Sequence, residues 1–397
     1  MDYGLVPQSV QDRTLRIAQW YDYWPGSVLT NFVDLIRNRY GVTIDISQEI
    51  YTSDQEVFTW ITTAGKKFDL IFPADFNVEQ MVRAGLLYNM NKDWLPNYGN
   101  LFPWLKDPAQ NRYAYPNGRD LYAVPYQWGT TGLGFRTDKG WTRDDIRQAG
   151  MELFWMDQFM GVDLSRKVMM LDENRECFGL TYKRLGWNEQ LDLGWAPTNL
   201  TANPAAPYDG EYQWSQNETG QARLDAATQA LIDARSRLYA FNTVNQGPYL
   251  TLDVVYIDMA WSGDIMYAIR PHTSTPQPVD YVIPEQGGTR WVTNAAIPRD
   301  CRNLWLVHEF INYLLDPEVG ANITDWNLYA TPNAESFDLL TAYPSYGWDP
   351  REDERIYADL AFGYSGPPIL ERCEFQHDLG PEATIRFLTA WNDVKFS

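Results

Sequence analysis

Trp261-Ser262-Gly263-Asp264 sets an aromatic face and a carboxylate three residues apart, after the apolar run Val254-Val255-Tyr256-Ile257-Asp258-Met259-Ala260. The run reads as a strand, with Ser and Gly opening a turn beyond it. A ring offers its negative face to a positive charge and an acid pairs with it, so the chemistry these residues suit is capture of an organic cation. The pattern recurs. Trp20-Tyr21-Asp22-Tyr23 closes the apolar strand Leu15-Arg16-Ile17-Ala18-Gln19, and Glu173 and Glu176 follow the strand Lys167-Val168-Met169-Met170-Leu171. Trp291 sits in a third strand, and Gln376 lies beside Phe375 near the C-terminus. Core packing accounts for most rings in a chain that is 15% aromatic. Rings paired with acids at strand ends are rarer, and ligands of open α/β sheets lie beyond the carboxyl ends of strands.

Other chemistries lack their residues. Histidine occurs only at His272, His308 and His377, and His308-Glu309 opens like a zinc-protease helix but has Asn312 where the second ligand belongs. There is no G-x-S-x-G elbow and no phosphate loop with Gly-Lys-Ser/Thr. Gly129-Thr130-Thr131-Gly132-Leu133-Gly134 follows Pro125-Tyr126-Gln127-Trp128 and leads into a strand, which is the wrong context for dinucleotide binding. Asp172-Glu173 and Glu176 have the residue types of a glycosidase, but no acid of raised pKa is singled out. The balance favours a binder without metal or cofactor over an enzyme. Cys177, Cys301 and Cys373 show no C-x-x-C spacing, and one disulfide or three free thiols are both open.

At 397 residues the chain exceeds one compact core, so two domains are expected. A net charge of −20 argues against nucleic acid or an anionic membrane surface as partner and is compatible with a cationic ligand. No stretch approaches the ~18 apolar residues of a membrane span. Met1-Asp2-Tyr3-Gly4 lacks the basic and apolar regions of a secretory signal. Both a cytoplasmic protein and a mature chain whose leader was removed fit that observation.

The elements that must position these residues alternate. Leu15 to Trp20 is a strand, followed by a helix with Val28, Leu29, Phe32, Val33 and Ile36 at helical spacing, Ser27 as cap and Gly41 past its end. Val42 to Ile46 is the next strand. Ser53-Asp54-Gln55-Glu56 forms a capping box before a helix with Val57, Trp60 and Ile61. Phe68-Asp69-Leu70-Ile71-Phe72-Pro73 reads as a buried parallel strand, and a helix spans Val78 to Leu87. The alternation resumes with the strand Lys167 to Leu171, a helix from about Arg175, and another from Ala222 to Leu238. Trp187 to Gln221 reads as an inserted loop, and its Asn199-Leu200-Thr201 and Asn217-Glu218-Thr219 match glycosylation acceptors by chance. Leu304, Val307, Ile311 and Leu314 form one apolar helical stripe.

Six short motifs then stand in one order. They are Asp69-Leu70-Ile71-Phe72-Pro73, Pro125-Tyr126-Gln127-Trp128-Gly129, Glu173-Asn174-Arg175-Glu176, Trp261-Ser262-Gly263-Asp264, Tyr329-Ala330-Thr331-Pro332-Asn333 and Glu374-Phe375-Gln376-His377-Asp378. Each is weak alone, but in this order, from about Leu15 to Thr384, the chain resembles the polyamine-binding proteins (spermidine/putrescine type) of bacterial ABC importers. That resemblance implies an α/β, two-lobed periplasmic-binding-protein-like fold of type II, each lobe a mixed sheet flanked by helices. The ligand would be held in the interlobe cleft by hinge closure. The implied lobes are discontinuous, 14–130 with 292–338 and 131–291 with 339–397, with 187–221 inserted and crossings near Thr131, Val292 and Asp338.

Carried over by position, the resemblance puts Trp20, Asp22, Tyr23 and Phe76 on the first wall. Glu173 and Glu176 reach in from the second lobe, Trp261 and Trp291 stack on the methylene chain, and Asp264 holds an amine. Tyr329 and Gln376 supply polar contacts. Each buried ammonium needs a carboxylate or several acceptors, and rings facing it add ~0.5–2 kcal/mol each. Two positions depart from the family pattern. Thr293 stands where an aspartate is usual and faces the pocket short of a charge, and Ala74 replaces a pocket serine. The implied role is a monomeric, extracytoplasmic, non-enzymatic carrier that delivers a polyamine to ABC importer permease subunits, binds no nucleic acid and needs no cofactor. Competing readings are another cationic solute such as an amino acid or quaternary amine, a sensor serving a receptor, and a carbohydrate-active enzyme using Glu173 and Glu176.

Overall fold

In a computed structural model the described residues are 12–192, 214–269, 277–342 and 373–396. They divide into two compact units, one within Met1–Trp128 and Val292–Asp353 and the other within Gly129–Trp291 and Glu354–Ser397.

The first unit opens with β1 (Thr14–Trp20), α1 (Gly26–Tyr40), β2 (Asp45–Tyr51), α2 (Asp54–Thr62), β3 (Leu70–Ile71) and α3 (Asp75–Arg83). β1 lies between β2 and β3 and is parallel to both, as continuous strand-helix alternation requires. α1 buries Val28, Phe32 and Ile36, one residue per turn, and stops at Gly41, whose φ of 67° an L side chain adopts at a cost. Its start differs from the expected Ser27 cap. Pro25 precedes the first helical residue, with no side-chain cap bond. The capping box of α2 is also half-formed. Ser53 Oγ accepts from the Glu56 N–H at 3.2 Å, but the Glu56 carboxylate accepts from the N–H of Thr52 rather than Ser53. α3 begins at Asp75, earlier than the expected Val78.

β4 (Ala123–Arg136) is buried along its whole length and carries the chain from the first unit into the second. The glycine-rich stretch from Gly129 lies inside this strand. The second unit continues with β5 (Val168–Met170), α4 (Asn174–Asp192), α5 (Gln221–Arg235), β6 (Leu238–Phe241), β7 (Ile257–Trp261), α6 (Ser262–Ile269) and β8 (Val279–Val282). β7 is antiparallel to β4 and parallel to β5, which is parallel to β6, while β8 is antiparallel to β4. β9 (Thr289–Ala296) leads back, with Thr289–Trp291 in the second unit and Val292 onward in the first.

In the first unit Ala296 of β9 pairs antiparallel with Ile71. α7 (Leu304–Leu314) and α8 (Pro317–Asn327) follow. α7 is buried on nearly every side, beyond the single stripe expected, and this encloses His308 and Glu309. β10 (Glu374–Phe375) pairs parallel with Thr289 and Arg290, and α9 (Pro381–Phe396) packs on α5. Each unit therefore has a mixed sheet covered by helices.

The expected loop from Trp187 is helical as far as Asp192, and Asn199 lies outside the described residues. Its later part is built into the second unit. Gln216 is fully buried, and the Asn217 side chain bonds the backbone of Phe375 and His377 at 2.8 and 2.7 Å. All three cysteines are free thiols. Among the described residues no helix is long and apolar enough to cross a membrane. His272 lies outside them.

Candidate functional site

In the first unit the end of β1 presents Trp20 half-buried, its indole N–H donating to the Phe72 carbonyl at 3.0 Å and its ring 4.9 Å from that of Tyr51. Tyr51 donates to the same carbonyl at 2.7 Å, so one backbone oxygen fixes both rings. Asp22 is exposed in a left-handed conformation, φ 52°, which a short polar side chain tolerates. Tyr23 has turned inward instead. It packs in the core against Phe72, Tyr126 and Trp24, and its carbonyl accepts from the Tyr126 hydroxyl at 2.9 Å.

Phe76 stands half-buried in the first turn of α3, and Thr293 pairs with Ala74 in an antiparallel bridge. Tyr329 is half-buried just past α8, whose C-cap Leu328 is left-handed at φ 61°. Asp75, between Ala74 and Phe76, was not among the expected residues. It accepts from the N–H groups of Phe76 and Val292 at 2.7 and 3.0 Å, and burial raises its carboxyl well above the usual range.

In the second unit Trp261 is the last residue of β7 and Ser262 the first of α6. The tetrapeptide is thus a strand-to-helix junction rather than the expected turn, and Asp264 falls in the first helical turn, where the helix dipole favours an anion. Gln246 fixes this junction. Its Oε1 accepts from the Trp261 N–H at 2.8 Å and its Nε2 lies 3.4 Å from Asp264 Oδ2.

The Trp261 and Trp291 rings, both half-buried, stand 6.5 Å apart at 70°. Gly129 makes room for this pair, because a Cβ there would come within 2.8 Å of the Trp291 ring and 2.7 Å of Ser262 Oγ. The Trp291 N–H donates to the Thr131 hydroxyl at 3.3 Å.

Glu176, in the first turn of α4, is buried and hydrogen-bonded by the Trp261 side chain. Burial pushes its carboxyl up to about 7, against the lowering effect of hydrogen bonds from Thr289, Thr131 and Trp261 and the charge of Arg175. Glu173, one turn back, is half-buried. Gln376 is buried, with its Nε2 3.5 Å from Gln216 Oε1.

The second unit therefore brings Glu176, Trp261 and Trp291 together around Thr131 and Thr289. Thr131, Thr289 and Gln216 escaped the sequence reading. Thr289 carried one signal, its place two residues before Trp291 on the same strand face. Gln216 carried none. Such an arrangement suits a ligand with an apolar body and a positive end: two tilted rings for the former, carboxyls for the latter.

Residues 33–346 match the bacterial extracellular solute-binding protein family, and the chain belongs to that family. It is 25% identical over 376 residues to the spermidine/putrescine-binding periplasmic protein of Escherichia coli (strain K12), covering 94% of this chain and 89% of that one. It is 24% identical over 353 residues to the putrescine-binding periplasmic protein PotF of the same strain, covering 88% and 84%. Among solved structures, the spermidine/putrescine ABC transporter substrate-binding protein PotD of Streptococcus pneumoniae superposes with a TM-score of 0.65 at 20% identity, covering 97% of this chain and 99% of that chain. The two chains share the fold.

Proposed function

We propose that this protein captures a polyamine, putrescine or spermidine, outside the cytoplasm and delivers it to the permease of an ABC importer, without catalysing a reaction. The observation that carries this reading is the ring pair Trp261 and Trp291, whose Trp261 indole hydrogen-bonds the buried carboxyl of Glu176. A methylene chain lies well on tilted aromatic faces, and a desolvated ammonium needs a carboxylate close to those rings. The first unit offers the same types in Trp20, Phe76 and Asp22, with Tyr329 as a polar contact. Glu173, Asp264, Thr293 and Gln376 complete the proposed set. The names of the relatives point the same way, since each cited one carries a polyamine in its name. A net charge of −20 suits a polycationic ligand and opposes nucleic acid as partner.

The test is titration calorimetry with putrescine, cadaverine, spermidine, spermine, arginine and betaine. Saturable micromolar binding of at least one polyamine, well ahead of arginine and betaine, is expected. No heat from any polyamine at millimolar concentration would overturn the reading, and tighter binding of arginine or betaine would redirect it to another cation.

A further inference from the structure

The Thr289 hydroxyl lies 2.7 Å from Glu176 Oε2 and 2.9 Å from Gln216 Oε1. A hydroxyl has one proton to donate. The Gln216 amide cannot supply another, because its orientation is fixed. Its Nε2 donates to the Gly288 carbonyl at 2.9 Å, and turning the amide over would set two carbonyl oxygens against each other. Thr289 thus faces two acceptors with one proton.

The deficit closes when Glu176 carries a proton. Glu176 then donates to Thr289, Thr289 to Gln216, and Gln216 to Gly288. When Glu176 is ionised, Thr289 turns to the carboxylate, and its lone pairs face Gln216 Oε1 across 2.9 Å. The amide of Gln376, 3.5 Å away, is then the weak donor at hand. All these residues lie in the second unit and, apart from the Glu176 carboxyl, none is a group that titrates near neutrality.

We propose that Gln216 is a positioning residue that competes with Glu176 for the Thr289 proton and thereby makes cation capture at Glu176 proton-linked. The ligand's role rests on the function proposed above, while the competition itself is a property of the free protein.

The charged surroundings of Glu176 are set on each side. On its own helix, Arg175 lowers its proton affinity, yet the guanidinium is tied to the His377 carbonyl at 2.8 Å and Asn217 Oδ1 at 3.1 Å. Asp172 and Glu173 lie just before α4, and on it is the Cys177 thiol, which burial and the neighbouring acids hold protonated. From β10, Glu374 stands opposite Thr289 in the strand register and is paired with Lys183 at 3.2 Å. From β4 and β7 come the Thr131 hydroxyl and the Trp261 N–H, which hydrogen-bond the carboxyl. Burial outweighs the donors and brings the carboxyl to about 7, so a small change in the competition moves its charge within the neutral range.

The experiment follows the Glu176 side-chain carboxyl by carbon-13 NMR in glutamate-labelled, ligand-free protein, with Glu176→Gln giving the assignment, and in parallel measures putrescine affinity from pH 5.5 to 8.5. Gln216→Met removes the competing acceptor and frees Thr289 for the carboxylate, so the NMR midpoint moves down by about one pH unit. Thr289→Val removes the carboxylate's donor and moves it up. If Gln216→Met folds poorly, Gly179→Ala serves instead, since its Cβ would lie 2.7 Å from Gln216 Oε1 and displace that amide. Putrescine affinity is expected to rise with pH through the same midpoint and to follow it in each variant. An unmoved or raised midpoint in both Gln216→Met and Gly179→Ala would overturn the proposal. So would an affinity loss of equal size at every pH with no shift in the profile. A shifted midpoint in a protein that binds no polyamine would instead uphold the competition and defeat the proposed ligand.

Discussion

Ala74 and Thr293 face each other across an antiparallel bridge in the first unit, so the two departures from the polyamine-binding pattern share one patch. Asp75 beside them does not restore the lost charge. It is committed to two backbone N–H groups, and burial favours its protonated form. On the proposed function, this patch would meet the ligand by shape and backbone more than by charge, which suits a short diamine better than a triamine. Thr293→Asp is expected to tighten spermidine more than putrescine, on the order of tenfold or about 1.4 kcal/mol. Calorimetry on both ligands checks this, and a loss of affinity for both would place Thr293 out of the ligand's reach.

Trp261 is anchored through its backbone to Gln246 while its ring meets Trp291 edge to face. Truncating it leaves the junction in place but removes one apolar face and the indole donor to Glu176. Trp261→Ala is expected to weaken polyamine binding by ~1–2 kcal/mol with a smaller change in Tm. Affinity equal to that of the unmodified protein would assign the ring to the core.

The alternation of β1 to α3 was legible because most apolar runs have one period and end at their own punctuation, as α1 does at Gly41. The second strand, however, runs over Asp45–Tyr51 rather than the expected Val42 to Ile46, because its mostly exposed residues carry little apolar signal. Trp261 and Glu176 were legible for a similar reason: each closes a strand or opens a helix within a short run of sequence. Tyr23 shows where that reading stops. Its neighbours in sequence place it on the strand-end cluster, but Phe72 and Tyr126 hold it in the core, and those contacts are made across long sequence separation. Gln216 was illegible for the same reason. Its surroundings read as loop, while its role is set by Thr289, Gly288 and Glu374, each far along the chain.

Asp258 on β7 is fully buried, and among the described residues neither of its carboxylate oxygens has a hydrogen-bond partner. Burial, helped by the charge of Asp264, raises its carboxyl well above the usual range. The unfolded chain gives up this proton near pH 4 while the folded chain keeps it. Stability therefore falls as pH rises above about 4, until the folded group ionises. Asp258→Asn keeps the shape and removes that penalty. Its gain over the unmodified protein should be small at pH 4.5 and reach at least ~1 kcal/mol, roughly 2–4 °C in Tm, at pH 8. Thermal unfolding at the two pH values decides it, and an equal difference at both would mean that ionisation of Asp258 does not set the cost.

Lys183 on α4 and Glu374 on β10 form an ion pair at 3.2 Å with both side chains almost wholly buried. Glu374 is further held by the Gln216 N–H at 3.0 Å and by the Ser215 hydroxyl, so the pair ties the segment before α5 to the strand beside Thr289. Taking two charges out of water nearly cancels their attraction, but removing one partner leaves the other buried without that counter-charge. Lys183→Met is expected to cost about 3–5 kcal/mol of unfolding free energy, and Glu374→Gln a comparable amount. The double variant should recover much of the loss, because neither charge is then buried without its counter-charge. Urea unfolding of the single and double variants closes the cycle. Additive losses in the double variant would show that the two side chains stabilise the unit independently.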